Sequence, residues 1–209
     1  MVSEAGSAGK EGDAFRRIGA MRIGLLGGSF DPVHLGHLAL AEASRDRLRL
    51  DRVLLVVAAA QPLKEAGAAA PAEDRYAMVR LAIRGMPGLE ASDLELRRLP
   101  PSFTVDTLRE VRRLHPPGTE IFLLLGADAL ADLPRWRESG EVRSLATVVG
   151  CARPGFPAPE GTSVVLEAAT PEISSSEIRR RVAAGKPLDG LVPDDVAAYI
   201  EERGLYRGA

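Results

Sequence analysis

Cysteine occurs once in 209 residues, as Cys151, which excludes an internal disulfide framework and fits a reducing, cytoplasmic setting. No apolar run approaches the roughly 20 residues that span a bilayer, so no transmembrane helix is expected. The formal charge of −2 gives no overall attraction to nucleic acid or to an anionic membrane. Lysine is scarce, with only Lys10, Lys64 and Lys186, and the positive charge is nearly all arginine. Internal repeats, coiled-coil heptads and low-complexity segments are missing, apart from the alanine-rich stretch Ala66–Ala72. What remains is ordinary for a globular chain, with 45% hydrophobic and 27% charged residues. That length suits one domain with a full core.

Residues 1–20 hold Gly6, Gly9, Gly12 and Gly19 among balanced charges, with no apolar centre for a signal peptide; they read as a disordered extension. The domain is expected over 21–209. There the runs Ile23–Leu26, Val53–Val57, Ile121–Leu125, Ala146–Val149 and Ser163–Leu166 are continuously apolar, as strands covered on both faces are. Leu89–Leu96 reads as a further strand. Helical patterns over 35–50, 73–84, 105–114, 176–184 and 194–203 alternate with these runs. The expected fold is a single α/β domain: a doubly wound, Rossmann-like, mostly parallel sheet with helices on both faces.

In such a fold ligands bind beyond the C-terminal ends of the strands. The first strand ends in Gly27-Gly28-Ser29-Phe30-Asp31-Pro32-Val33-His34-Leu35-Gly36-His37, a glycine turn running into a helix. A strand, a glycine turn and a helix N-terminus together favour phosphate. His34 and His37, three apart, can face the same anion. After the second strand lies Lys64, a phosphate ligand or a solvated loop residue. Thr104, following Phe103, is placed either to cap a helix or to meet a ligand. Gly126 at the fourth strand's end admits a ligand near the backbone, and Asp128 either accepts from a ribose or caps the next helix. Trp136, the single tryptophan, reads as core, and Arg153, at a strand's ligand-side end, as an ion-pair partner. Ser174-Ser175-Ser176-Glu177-Ile178-Arg179 starts a helix with a capping-box pattern and also makes a second anion site.

The stretch Gly27–His37 resembles the signature of nucleotidyltransferases with a HxGH motif, and its wording is closest to bacterial nicotinate-nucleotide adenylyltransferases. Ile173–Arg179 is similar to the motif that closes over ATP in that family, and the likeness runs from Met21 to Tyr206. The resemblance implies adenylyl transfer from ATP to nicotinate mononucleotide, with Mg²⁺ carried by ATP and no protein metal site. It implies His34, His37 and Arg179 as catalytic residues. Gly27, Gly28, Ser29, Phe30, Gly126, Asp128, Arg153, Ser174 and Ser176 are then expected at ATP, and Lys64, Phe103, Thr104 and Trp136 at the mononucleotide. Ala58 and Leu63 depart from the family's pattern near Lys64, and Phe103 replaces the usual tyrosine. Nucleic acid and membrane are not expected as partners, and a homo-oligomer is left open.

Two alternatives stand beside it: pantetheine-phosphate adenylyltransferase, which has the same first motif, and, from another class, a non-catalytic nucleotide sensor. A dinucleotide-binding oxidoreductase fails on glycine spacing, since Gly24, Gly27 and Gly28 do not form Gly-x-Gly-x-x-Gly. No triad-type nucleophile is legible, which leaves positioning and charge stabilisation as the means of catalysis.

Overall fold

The computed structural model describes residues 20–59, 67–152, 164–167 and 171–208. Residues 1–19, Lys64 and Arg153 lie outside that set, so the expectations placed on them have no structural counterpart.

Among the described residues, six parallel strands form one sheet: β1 (Arg22–Gly28), β2 (Arg52–Val57), β3 (Leu89–Ser92), β4 (Glu120–Gly126), β5 (Thr147–Ala152) and β6 (Val164–Glu167). Their spatial order is β3-β2-β1-β4-β5-β6. The chain builds outward from β1 in one direction, then returns and builds outward in the other. The crossovers carry α1 (Leu35–Arg47), α2 (Ala72–Ala82), α3 (Thr104–Leu114), α4 (Ala127–Asp132) and α5 (Ser139–Leu145). Two further helices, α6 (Ser175–Ala183) and α7 (Asp194–Glu202), follow the last strand.

The unbroken apolar runs are explained by burial on both faces. Along β2, Val53, Leu55 and Val57 join one core layer with Leu38, Met78, Val79, Val196 and Ile200. The alternate residues Leu54 and Val56 join the opposite layer with Val105, Leu108, Val111 and Val142. β4 divides in the same way, with Phe122 and Leu124 on one side and Ile121, Leu123 and Leu125 on the other. Helices α1, α2, α6 and α7 therefore cover one face and α3, α4 and α5 the other.

Three local expectations are corrected. The third strand stops at Ser92 instead of running to Leu96, because the Asp93 carbonyl accepts from the amides of Leu96 and Arg97 and turns the chain. Phe103, not Thr104, is the N-cap of α3, and Thr104 is already helical. Helix α5 was not foreseen. Its sequence, Ser139-Gly140-Glu141-Val142-Arg143-Ser144-Leu145, has a single buried residue, Val142. It is held from outside by Arg109 of α3, which pairs with Glu138 and Glu141.

Candidate active site

Between β1 and β4 the strand order changes direction, and that switch point is where open α/β sheets leave a crevice. Gly27 ends β1 and Gly126 ends β4, and both are exposed. A Cβ added to either would meet no atom within 4 Å, so both strand ends look onto open space.

Helix α1 starts at this place with His34 as its N-cap. The His34 backbone N–H donates to Nδ1 of His37 at 3.2 Å. An accepting Nδ1 requires the proton of the neutral ring to sit on Nε2, so His37 presents a fixed N–H donor on its other edge. The ring is held from two sides. His34 stacks on it with centroids 3.6 Å apart, and Phe30 meets it edge-on at 5.0 Å. Phe30 is 1% exposed, and its ring forms the floor beneath His37.

Gly36 lies in close approach to the first histidine. A Cβ on it would stand 3.1 Å from Cε1 and Nδ1 of His34, so a side chain would need that ring to give by a few tenths of an ångström. The turn's first amides are largely engaged: Leu35 N–H donates to the Leu191 carbonyl at 3.0 Å.

Burial pushes the His34 imidazole down to about 4, with its backbone hydrogen bond opposing that shift only in part, so the ring is neutral at pH 7. The unfolded chain binds this proton near the ordinary 6.5. Between 6.5 and about 4 the unfolded state therefore takes up more protons than the folded one. Stability from this group is full above about 6.5 and falls as pH drops to about 4, by about 3 kcal/mol in all. Denaturant unfolding across this window should show the decline. The same series on His34→Asn should lack that component, and parallel profiles would show that His34 is not its source.

The second motif packs directly on the first. Ser174 caps α6 by accepting from Glu177 N–H at 3.2 Å, which is the expected cap. Ser175 donates from Oγ to the Pro32 carbonyl at 2.9 Å. Arg179 donates from Nη1 to the Asp31 carbonyl at 2.7 Å and from Nη2 to Ser176 Oγ at 3.3 Å. Stretches far apart in the chain thereby share one site, with His37 and Arg179 on it together.

Beneath it lie groups that local reading missed. Asp31, 3% exposed, accepts from Ala69 N–H at 2.7 Å, Ala70 N–H at 3.0 Å and the Tyr206 hydroxyl at 2.8 Å. Arg75 is 2% exposed, and its guanidinium donates to the carbonyls of Ser29 at 2.7 Å, Ala58 at 2.8 Å, Ala59 and Ala70. It ties together the chain ends leaving β1 and β2. A signal for it existed. Arg75, Met78, Val79 and Ala82 fall at i, i+3, i+4 and i+7 on the buried stripe of α2, which puts an arginine on a core face.

On the far side of the switch point, Phe103 and Trp136 pack, half-buried, against the same core layer. The Arg137 guanidinium lies over the Phe103 ring at 4.8 Å and also pairs with Glu138. Thr104, in the first turn of α3, is half-buried, and Asp128 is exposed in the first turn of α4. Cys151 is no nucleophile, because burial pushes its thiol up to about 11. Among the described residues no group of three or more His, Cys, Asp or Glu could hold a metal ion, and no helix is long and apolar enough to cross a membrane.

The family model described as cytidylyltransferase-like matches residues 25–181. A probable nicotinate-nucleotide adenylyltransferase of Thermus thermophilus is 51% identical over 90% of this chain and 100% of its own length. A relative of the same description from a Roseiflexus species is 49% identical, over 88% of this chain and 98% of its own. Among solved structures, the Plasmodium falciparum nicotinic acid mononucleotide adenylyltransferase complexed with NaAD shares the fold, with a TM-score of 0.75 at 20% identity, covering 89% of this chain and 97% of that one. Identity of 49–51% over nearly the whole chain means that the chain belongs to the nicotinate-nucleotide adenylyltransferases, within the cytidylyltransferase-like family.

Proposed function

We propose that this protein transfers the adenylyl group of ATP to nicotinate mononucleotide, giving nicotinate adenine dinucleotide and pyrophosphate, a step of NAD biosynthesis. The observation that carries this reading is the convergence of the His37 Nε2–H, Arg179 and the N-termini of α1 and α6 at one strand end. A phosphate oxygen of the mononucleotide attacks the α-phosphorus of ATP. The α–β bridging P–O bond breaks, and its electron pair leaves on pyrophosphate. Such a transfer needs in-line positioning and neutralisation of charge on the phosphate oxygens, and no covalent enzyme intermediate.

His37 donates to the phosphates, His34 holds its ring, and Arg179 offsets charge growing on the leaving group. The open ends at Gly27 and Gly126, with Gly28, Ser29, the Phe30 backbone, Asp128, Arg153, Ser174 and Ser176, receive ATP. Lys64, Phe103, Thr104 and Trp136 receive the mononucleotide. ATP enters as its divalent-metal complex, in this reading with Mg²⁺ held by the triphosphate and water. The setting is cytoplasmic.

The acid is preferred over the amide because the nicotinate carboxylate meets the positive end of α3 and the Thr104 hydroxyl, which is not engaged in capping. A charge-assisted hydrogen bond is worth roughly 1.5–3 kcal/mol, so the preference should exceed about ten-fold. Pyrophosphate release from ATP, measured with nicotinate mononucleotide, nicotinamide mononucleotide and phosphopantetheine in turn, tests the reading. Thr104→Val should narrow the preference without weakening ATP. Equal use of the two mononucleotides, or release with phosphopantetheine alone, would overturn the acceptor.

A further inference from the structure

The segment that follows α7 turns back into the site. Helix α7 closes with paired bonds, from Gly204 N–H to the Glu201 carbonyl and from Leu205 N–H to the Ile200 carbonyl. Gly204 takes the left-handed conformation that such a close requires, at φ +61. The next residue but one, Tyr206, is also left-handed, at φ 62, which a bulky aromatic residue adopts only where its surroundings compel it. The result of that conformation is a buried hydroxyl 2.8 Å from Oδ1 of Asp31.

Asp31 is where this bears on chemistry. Its Oδ2 lies 3.7 Å from Nη1 of Arg179, and the same nitrogen donates to its backbone carbonyl. With two backbone amides and the tyrosine hydroxyl fixing the carboxylate, Asp31 has one orientation, and Arg179 is aligned against it. Burial, and then the charge and hydrogen bond of Asp31, hold the Tyr206 phenol protonated and a donor at any working pH.

We propose that Tyr206 is a positioning residue of the ATP site: through Asp31 it sets the guanidinium of Arg179 toward the triphosphate. This rests on the reading of Arg179 as a phosphate ligand. Tyr206→Phe removes one hydroxyl and keeps the buried ring. Binding of a non-hydrolysable ATP analogue, followed by calorimetry, should weaken about ten-fold in Tyr206→Phe, and kcat/KM for ATP should fall in step, with KM for the mononucleotide unchanged. In an Arg179→Ala background the same substitution should have no further effect, because the group it acts through is gone.

Arg203→Gln is the control for general loosening, since it removes one of two ties to Asp74 of α2, the Tyr199 hydroxyl of α7 keeping the other, without touching Asp31. An equal loss in Arg203→Gln, a ten-fold loss that persists without Arg179, or unchanged analogue binding in Tyr206→Phe overturns the proposal. Should Tyr206→Phe unfold, a wild-type-like analogue affinity in a chain ending at Leu205 overturns it as well. The acceptor is not involved in analogue binding, so normal binding without pyrophosphate release would count against the proposed reaction alone. Failure of Arg179→Ala to weaken the analogue would remove the premise and the proposal together.

Discussion

Alanine at position 37 should lower turnover by about 10²–10³ while the protein stays folded. The rate term follows from the loss of a preorganised donor where charge gathers on the phosphates. The stability term is smaller: the substitution forfeits the bond from His34 N–H to His37 Nδ1, a capping interaction worth about 1 kcal/mol. For a chain of this size that is about 2–4 °C in melting temperature. Two further variants separate the ring's two edges. His37→Asn offers an acceptor near the His34 amide but no donor to the phosphates, so it should regain stability and not rate. His37→Gln places an amide N–H near the Nε2 position and should regain part of the rate. Steady-state pyrophosphate release and thermal melts on the three proteins decide it. Near-normal turnover in a folded His37→Ala would remove His37 from the chemistry.

Arg75→Met should be the most damaging single change to stability, at about 3–5 kcal/mol. Methionine nearly fills the space but supplies no donor. The carbonyls of Ser29, Ala58, Ala59 and Ala70 then lose a charged partner in a buried setting, and Asp31 loses a neighbouring positive charge. Burial draws the guanidinium's proton affinity down, opposed by the charge of Asp31, yet an arginine remains charged at any working pH. Because the bonds run to the segments leaving β1 and β2, the loss should appear in the phosphate turn as well as in the global melt. Arg75→Lys, with one point charge in place of a planar fork, should recover only part of it. Chemical denaturation gives the magnitude, and a loss below about 1 kcal/mol would mean that water replaces the guanidinium.

The extended apolar runs made the sheet legible, since a strand buried on both faces has no polar alternation to confuse with another element. The two motifs that meet at the candidate site were legible for a similar reason: the glycines and histidines of one, and the serines and arginine of the other, lie close together in the chain. Short α5 was not, because it has one buried apolar anchor and takes its shape from Arg109, which lies far back in the chain. Thr104 was misplaced by one position, within the ordinary uncertainty of helix ends. The deepest gap concerned Asp31, read only as part of a turn. Its partners come from 38, 39 and 175 residues further on, and no local pattern announces them.

On the proposal made for Tyr206, its bond to Asp31 also bears on when the site is complete. A growing chain acquires the glycine turn and both histidines early, together with β2, the first neighbour of β1. The other neighbour, β4, pairs Ile23 with Ile121, so β1 keeps an open edge until β4 has been made. Domains generally fold as units. That unit is not closed here until β4 is in place, and on the proposal above Arg179 is not set until the Tyr206 hydroxyl reaches Asp31. On that proposal catalytic competence is acquired late, and a chain cut short just before Tyr206 lacks both a core side chain and the hydroxyl that fixes Asp31.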